Sequence, residues 1–322
     1  STPIKSSAAS DVYKRQLFNI VNRKNNARIA RWIVEQATAL GFKNYIHLID
    51  TDIYRSRYLK EYIHPAVSIY YRRDYIIGEA YWRRHGTRLE PELAASADIV
   101  LANSTRFAAE LQPYNPHTYP IETGVNLELY NPAKKYETPG DMQDIPRPII
   151  GYMGTINSTR LDGELLYQII SQLPDHSFVF TGPEDDIFRR NRIHSLKNAY
   201  FTGQKKVDEL PAYIAAYDVC INPQMVNEIT DGNYPLKIDE YLAMGKPTVA
   251  TSTHTMRNIF AGHTHLAINP EEWLAAIDRA VTEADDKELA KQRIAFAETH
   301  SWGHSVKKIY DIIDKFLKER TT

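Results

Sequence analysis

The sequence has little that would support a secreted, disulfide-bonded or membrane-spanning protein. One of its 322 residues is a cysteine, which excludes an internal disulfide framework and a cysteine-based zinc cluster. That residue, Cys220, lies in the apolar stretch "YDVCINP" and is interpreted as a small core residue. No apolar run approaches the roughly 20 residues that a transmembrane helix needs, and no secretory signal is visible. We therefore expect a cytoplasmic protein.

A large net charge is also absent. The formal net charge is -1, which argues against bulk binding of nucleic acid. The composition, 43% hydrophobic and 25% charged, is that of a globular protein. The charge is uneven, since residues 17–92 contain 13 Lys and Arg against 8 Asp and Glu. Two interpretations of this basic region stay open: a solvated surface, or a face for an anionic acceptor or for peripheral contact with the inner face of the membrane.

The first residues differ from the rest of the chain. Residues 1–16, "STPIKSSAASDVYKRQ", show neither hydrophobic periodicity nor a helix-capping pattern and are interpreted as a non-native leader. On this interpretation the natural first strand and its loop are absent. The N-terminal domain is then expected to be truncated, with one strand of its sheet lacking a neighbour.

After the leader, strands and helices alternate. The predicted strands are "YIHLI", "AVSIYY", "DIVLA" and "HTYPI", then "PIIGYM", "SFVFTG", "AYFTG", "DVCINP", "PTVA" and "HLAIN". Strands alternating with helices of about 10 residues indicate parallel, doubly wound sheets. The segment "YETPGDMQDIPRP" is the predicted linker. We therefore predict an α/β chain with two Rossmann-like domains, 17–144 and 145–301, and a terminal amphipathic helix, 302–322.

One predicted helix begins where an anion could bind. In "NYPLKIDEYLAMGKPTVA", residues 233–250, Pro235 suits a first helical turn and Gly245 a helix end. A helix N-terminus offers free amides and a local positive field. Ligands of doubly wound sheets bind beyond the carboxyl ends of the strands. The loops expected there contain Gly154, Thr155, Arg160, Gly182, Gly203, Glu228 and Gly232.

Six stretches occur in an order that resembles a known enzyme family. They are "ADIVLANST", "IETGVNLELYNP", "IIGYMGTIN", "ELPAYIAAYDVCINP", "PLKIDEYLAMGKPTVAT" and "HSWGHSV". Together they are similar to retaining glycosyltransferases of the GT-B fold, family 4, of the type that assembles bacterial cell-surface polysaccharides. The resemblance covers about residues 66–312. Its most specific part is the pattern P-x-K-x-x-E-Y-L-A-x-G-K-P over residues 235–247.

The resemblance implies a fold and a donor site. It implies two Rossmann-like domains facing across a cleft, with the last helix packed back towards the N-terminal domain. The diphosphate of a nucleotide-sugar would lie over the N-terminus of the helix at 235–243. There Lys237 would reach phosphate and Glu240 would accept two ribose hydroxyls, the alternative being an exposed salt bridge between the two. The implied donor-binding residues are Gly154, Thr155, Gly203, Gly232, Asn233, Pro235, Lys237 and Glu240.

A catalytic set of three residues is predicted around the same helix. Arg160 either clamps the leaving phosphate or lies on the surface, and Lys237 neutralises the phosphate. The family often has two glutamates spaced E-x7-E, the first touching the donor sugar, but Gly232 stands at that first position. The nearby Glu228 either replaces the missing contact or is ordinary loop surface.

The N-terminal domain offers two further motifs. Arg72, Arg73 and Asp74 in "YYRRDY" either meet the acceptor or the leaving phosphate, or form a charged loop. Asp50 and Asp52 in "IDTDIY" form a D-x-D pattern, which in GT-A glycosyltransferases holds a divalent metal. A second nucleotide-type domain argues against the GT-A class, so we expect no cofactor and no essential metal.

The predicted activity is that of a retaining hexosyltransferase, which transfers a sugar from a nucleotide-sugar donor to a glycan or lipid-linked acceptor. The resemblance implies a front-face displacement in which the donor phosphate receives the acceptor proton. The protein would then position and neutralise the leaving diphosphate. Two other classes stay open: a GT-B nucleotide-sugar epimerase, and a non-catalytic nucleotide-sugar or glycan-binding protein.

Overall fold

A computed structural model describes residues 4–78 and 80–321, with the side chains of residues 14–78 and 80–320. The chain divides into two compact units, Ser1–Pro120 and Ile121–Thr322, here called the N-unit and the C-unit. Residues 1–3 of the predicted leader lie outside the described residues. Within the described ranges, no helix has both the length and the apolar character needed to cross a membrane.

The N-unit is built on a four-stranded parallel sheet in the order β1-β2-β3-β4. Its strands are β1 (Ile46–Asp50), β2 (Val67–Arg72), β3 (Ile99–Ala102) and β4 (Thr118–Pro120). Its helices are α1 (Ile4–Ala39), α2 (Leu59–Ile63), α3 (Ala80–Ser96) and α4 (Thr105–Leu111). Helix α1 includes residues 4–16 of the predicted leader and continues to Ala39, although its first half lacks an apolar period.

The core of the N-unit lies between the sheet and helix α3. Strands β2 and β3 are buried along their whole length, as expected for strands covered on both faces. Tyr70 and Val100 pack with Leu89 and Leu93 of α3 in one apolar cluster. The hydroxyl of Ser104 caps α4 by accepting the Phe107 amide at 3.2 Å.

The C-unit is built on a six-stranded parallel sheet in the order β10-β9-β8-β5-β6-β7. Its strands are β5 (Ile149–Met153), β6 (Ser177–Thr181), β7 (Ala199–Gly203), β8 (Val219–Asn222), β9 (Thr248–Thr251) and β10 (His265–Ala267). Its helices are α5 (Gly163–Gln172), α6 (Leu210–Ala216), α7 (Leu236–Ala243), α8 (Pro270–Thr282), α9 (Lys287–Thr299) and α10 (Trp302–Thr321). This strand order is that of a Rossmann sheet, and the order in which the strands are added reverses between β5 and β8.

Strand β5 is the centre of the C-unit core. Its side chains alternate between two apolar layers, with Met153 beside Tyr217 in one and Tyr152 beside Phe178 in the other. Gly151 leaves room for the ring of Tyr217, because a Cβ at Gly151 would lie 2.1 Å from that ring. The sheet is therefore packed on both faces, and its functional groups are confined to the ends of the strands.

The boundary between the units differs from the prediction. The sequence placed it at residues 144 and 145, whereas the segment 121–144 belongs to the C-unit. The Val125 amide donates to the His300 carbonyl at 2.9 Å, and Asp141 pairs with Lys205 at 2.7 Å. The predicted linker, residues 136–148, therefore lies within the C-unit.

Lys246, near the end of the P-x-K-x-x-E-Y-L-A-x-G-K-P pattern, connects two elements of the C-unit. Its Nζ donates to the carbonyls of Ala215 and Tyr217 at 2.8 and 2.6 Å. These groups lie at the end of α6, where carbonyls lack partners within the helix. Burial lowers the pKa of Lys246. The lysine therefore ties the end of α6 to the turn between α7 and β9.

Candidate functional site

The candidate site lies at the carboxyl end of β5, beside the point where the strand order of the C-unit sheet reverses. The first residue after β5, Gly154, has a φ of +130°, and its amide donates to the Thr181 carbonyl at 2.9 Å. A Cβ at Gly182 would lie 2.0 Å from the Gly154 carbonyl oxygen. Glycine at position 182 is therefore required for the loops after β5 and β6 to approach each other.

The loop after β5 is held on both sides. On the β6 side, the Ile156 amide donates to the Pro183 carbonyl at 2.8 Å, and the Asp185 carboxylate accepts the Ser158 amide at 2.7 Å. On the β8 side, the Met225 amide donates to the Arg160 carbonyl at 2.8 Å. The backbone around Gly154 and Arg160 is thus fixed by the protein itself, which favours a preformed binding loop.

Helix α7 brings two side chains to this loop. It begins at Leu236 after Pro235 and ends before Gly245, whose φ is +71°, so the predicted helix at 235–243 is confirmed. The helix is anchored to β5, since the Tyr241 hydroxyl accepts the Met153 amide at 2.8 Å. Lys237 in the first turn and Glu240 one turn on are both half-buried.

Lys237 points to the end of β5. Its Nζ lies 2.6 Å from the Tyr152 hydroxyl and 4.0 Å from the centre of that ring. A Cβ at Gly154 would lie 2.7 Å from the same Nζ, so the missing side chain makes room for the ammonium group. Burial lowers the pKa of Lys237 to about 7, with Glu240 acting against the shift and Arg160 adding to it. The amine is therefore poised to gain a proton when an anion arrives.

The pKa of Glu240 is shifted in the opposite direction. Burial raises its pKa to about 7, while a hydrogen bond from Tyr130 and the charge of Lys237 lower it and Asp239 raises it further. Tyr130 is buried, with 3% of its surface exposed, and burial beside Glu240 raises its own pKa above the ordinary range. The alternative of an exposed salt bridge between Lys237 and Glu240 does not fit the structure, because both side chains are half-buried.

Asp239, between these two residues, faces the other way. It is fully buried and accepts hydrogen bonds from the Tyr234 hydroxyl and from His300 Nδ1, the latter at 3.1 Å. Burial raises its pKa, and its two partners lower it. This cluster ties α7 to the segment between α9 and α10, so it orients the helix rather than binding a ligand.

The remaining predicted donor residues are spread more widely. Thr155 accepts the Tyr152 hydroxyl through its carbonyl at 3.0 Å. Gly232 and Asn233 are buried in the loop before α7, where the Thr255 hydroxyl donates to the Gly232 carbonyl at 3.2 Å. Gly203 ends β7, the outermost strand on its side of the sheet. Glu228 is exposed, so its predicted contact with a donor sugar stays a prediction.

The acceptor-side residues of the N-unit behave differently from one another. Arg72 is 2% exposed and lies in β2, with its guanidinium 2.9 Å from Glu110 and 3.4 Å from Glu90. This excludes the alternative of an exposed charged loop for Arg72, because carboxylates from α3 and α4 pair with it in the core. Arg73 is exposed and pairs with Asp50 at 2.9 Å, and Asp74 is exposed as well. An acceptor-side role stays a prediction for all three residues.

The two carboxylates of the D-x-D pattern have different partners. Asp50 faces Arg73, while Asp52 accepts the amides of Tyr54 and Arg55 at 3.2 and 2.9 Å. No group of three or more potential metal-ligating side chains occurs in the ranges 4–78 and 80–321. The carboxylate oxygens of the pattern are therefore used in local structure.

Two residues of the site were not singled out from the sequence. Tyr152 was interpreted only as part of a buried strand, and Tyr130 as part of the stretch "LELYNP". Each places a hydroxyl against a charged group of α7. A polar tip on a large apolar residue is ordinary in cores, so no sequence signal separated these tyrosines from the other 19 among the 21 of the chain.

The C-unit matches a known family in sequence. Residues 147–283 match the family model described as "Glycosyl transferases group 1". TuaH of Bacillus subtilis (strain 168), a glycosyltransferase assigned to teichuronic acid biosynthesis, is 27% identical over 188 residues, which are 56% of this chain and 47% of that protein. The chain thus spans about half the length of this curated relative.

Solved structures share the fold at low sequence identity. HepE from Anabaena in complex with UDP has a TM-score of 0.69 at 14% identity, over 89% of this chain and 82% of its own. A glycosyltransferase from Rickettsia africae has a TM-score of 0.66 at 18% identity, over 91% and 81%. Sucrose-phosphate synthase from Thermosynechococcus elongatus has a TM-score of 0.66 at 18% identity, over 90% and 78%. The predicted α/β fold of GT-B type is confirmed, and the sequence similarity to the glycosyl transferases group 1 model is confined to residues 147–283.

Proposed function

We propose that this chain is a glycosyltransferase that moves a sugar from a nucleotide-sugar to a hydroxyl of a glycan or lipid-linked acceptor, with retention at the anomeric carbon. The observation that supports it most is the arrangement at the end of β5. Lys237 lies against the loop at Gly154, and Glu240 stands one helical turn further on, where a Rossmann sheet binds nucleotides.

The charges of this arrangement suit a diphosphate. The first turn of α7 contributes its helix dipole, and Lys237 and Arg160 contribute basic groups whose charges influence each other. A bound diphosphate raises the pKa of Lys237 above its value of about 7 and restores its charge. The carboxylate of Glu240 then accepts ribose hydroxyls at the other end of the nucleoside.

The proposed reaction needs no protein nucleophile. The bond between the anomeric carbon and the donor phosphate oxygen breaks, and a bond from the acceptor oxygen forms on the same face. The acceptor proton passes to the leaving phosphate oxygen, which gives a glycoside and a nucleoside diphosphate. Lys237 and Arg160 stabilise the charge that develops on the leaving group. No step is assigned to a metal or a cofactor.

The relatives suggest where to begin with substrates. Structures of HepE contain UDP or UDP-glucose, so uridine diphosphate sugars are the first donors to test. TuaH is assigned to teichuronic acid biosynthesis, which makes a growing polysaccharide the first acceptor class to test. A cytoplasmic location and a membrane contact through the basic N-unit stay predictions.

A donor screen tests the proposal. The chain is incubated with UDP-, GDP- and ADP-sugars, and free sugar, nucleotide and epimer are followed by NMR. We expect one nucleotide-sugar to be slowly hydrolysed without acceptor, and the anomeric configuration of the donor to be kept in the product. Lys237→Met should abolish turnover. Epimer formation without hydrolysis, or binding without turnover even when glycan acceptors are added, would replace the proposed activity with one of the other two classes.

A further inference from the structure

The side chain of Lys237 reaches a residue on the opposite side of the C-unit sheet. Ile238 and Tyr241 of the same helix pack into one apolar cluster of the sheet, whereas Tyr152 of β5 packs with Phe180 in the other cluster. The Lys237 amine nevertheless lies 2.6 Å from the Tyr152 hydroxyl. The lysine side chain therefore crosses the carboxyl end of β5.

Gly154, the first residue after β5, leaves room for this crossing. A Cβ at Gly154 would lie 2.7 Å from the Lys237 amine and 3.4 Å from its Cε. The first of these distances is shorter than an ordinary van der Waals contact, so a larger residue at position 154 would displace the amine. The path of the lysine is thus open because of Gly154, and it ends at Tyr152.

The Tyr152 hydroxyl is fixed before any ligand binds. Its ring is buried, and its single proton is donated to the Thr155 carbonyl at 3.0 Å. The lone pairs of the phenolic oxygen are then left to accept a hydrogen bond from the Lys237 ammonium group. Because a phenol is neutral, it directs the amine without cancelling its positive charge, as a carboxylate would.

We propose that Tyr152 is a positioning residue of the donor site: its hydroxyl holds the Lys237 ammonium group at the end of β5, where the diphosphate of the donor binds. The inference rests on the proposed function, because it takes Lys237 as the group that binds the diphosphate. Tyr152 itself is buried in the core, so it acts on the ligand through the lysine.

The benefit of this contact is confined to ligands that carry phosphate. A lysine side chain has a flexible four-carbon stem, and its rotational freedom is lost when the amine is fixed on a phosphate. The hydrogen bond to Tyr152 imposes that loss when the protein folds, so the phosphate meets an amine that is already in place. A nucleoside without phosphate gains nothing from the arrangement.

The test is a double-mutant cycle in the full chain. The parent, Tyr152→Phe, Lys237→Met and the double variant are titrated with UDP and, separately, with uridine, and affinities are measured by ligand-observed NMR. The phenylalanine keeps the ring in the core and removes only the phenolic oxygen. If Tyr152 acts through Lys237, its effect on UDP disappears once the lysine is gone.

Tyr217→Phe is the matched control. Tyr217 is also buried in the C-unit, and its hydroxyl bonds to the Thr181 hydroxyl at 2.6 Å rather than to a group of α7. This variant therefore reports the effect of losing a buried phenolic hydrogen bond that has no contact with the lysine.

We expect Tyr152→Phe to bind UDP about fivefold more weakly than the parent, which is the effect of losing one ordinary hydrogen bond. Its affinity for uridine should equal that of the parent. Lys237→Met should bind UDP more weakly still, and adding Tyr152→Phe to it should cause no further loss. Tyr217→Phe should match the parent with both ligands.

Four outcomes would overturn the inference. Equal losses for UDP and uridine in Tyr152→Phe would mean that the phenol only supports the fold of the loop. The same loss in the Lys237→Met background would mean that it acts independently of the lysine. Unchanged UDP affinity in Tyr152→Phe, together with weak binding by Lys237→Met, would remove Tyr152 and leave the proposed donor site intact. Unchanged UDP affinity in Lys237→Met would remove the proposed phosphate site itself, and the role of Tyr152 with it.

Discussion

The ammonium group of Lys237 lies 2.6 Å from the phenolic oxygen of Tyr152 and 4.0 Å from the centre of its ring. Tyr152 directs its own proton to the Thr155 carbonyl at 3.0 Å, so its oxygen lone pairs face the lysine. The long side chain of Lys237 is thereby held beside the Gly154 loop without a ligand. A basic group that is already in place loses less conformational entropy when it binds phosphate.

The first prediction concerns Glu240. Glu240→Gln should weaken UDP binding by about 1.5–3 kcal/mol, because hydrogen bonds from ribose hydroxyls to a charged acceptor are replaced by bonds to a neutral amide. Calorimetric titration with UDP measures the effect. Glu228→Gln is the matched control. The Glu228 side chain is exposed, and UDP lacks the transferred sugar of the donor, which is the group that Glu228 was predicted to contact. Equal losses in both variants would argue for a general disturbance of the α7 region.

The second prediction concerns protons exchanged on binding. In the free protein the pKa values of Lys237 and Glu240 are both about 7. A bound diphosphate raises the pKa of Lys237, so binding at pH 8 should take up nearly one proton. Ribose hydroxyls lower the pKa of Glu240, so binding at pH 6 should release protons. Calorimetry of UDP-glucose in buffers of different ionisation enthalpy measures the exchange. Lys237→Met should lose the uptake at pH 8 and keep the release at pH 6. Release at both values would contradict the role of Lys237.

A third prediction concerns metals. Turnover of the donor found in the screen should survive EDTA, because in the proposed site the diphosphate is held by the helix dipole of α7 and by the basic side chains of Lys237 and Arg160. The rate with chelator is compared with the rate after adding manganese. Asp50→Asn and Asp52→Asn serve as controls and should turn over like the parent. Loss of activity with EDTA and its return with manganese would assign the D-x-D pattern a catalytic metal instead.

A fourth prediction concerns the approach of two loops. Gly182→Ala should lower the free energy of unfolding by about 2–4 kcal/mol, since it combines backbone strain with overlap on the Gly154 carbonyl. Gly203→Ala is the control, because its φ is +71° but no atom lies within 4 Å of an added Cβ; strain alone costs about 1–2 kcal/mol there. Denaturant unfolding measures both. Equal losses would show that the crowding at Gly182 relaxes easily.

A fifth prediction separates two neighbouring arginines. Arg72→Met should destabilise the N-unit by about 3–5 kcal/mol, because it leaves the buried Glu90 without its cationic partner. Arg73→Met removes an exposed pair with Asp50 and should cost less than about 1 kcal/mol. Unfolding followed by circular dichroism distinguishes the two. A small loss for Arg72→Met would mean that Glu90 takes up a proton at low cost.

Much of the fold was predictable because Pro, Gly and apolar stretches mark the ends of its elements. Helix α7 was bounded correctly by Pro235 and Gly245, and the alternation of strands and helices indicated parallel sheets. Contacts between distant segments could not be predicted in this way. Nothing in "YYRRDY" shows that Glu90 and Glu110 surround Arg72, and nothing in "LELYNP" shows that Tyr130 reaches Glu240. The site depends on such contacts, so the sequence named its helix and its charges but not the tyrosines that orient them.

The place of Lys246 bears on how sequence patterns of this kind are used. The amine bonds to carbonyls at the end of α6, and Gly245 follows α7 with a φ of +71°, so these two residues of the pattern support the architecture. A chain that only sensed nucleotide-sugars, without transferring anything, would need both residues just as much. Enzymes and sensors built on this scaffold should therefore be told apart by the residues around Lys237 and Glu240, and a match confined to the end of the pattern is uninformative about chemistry.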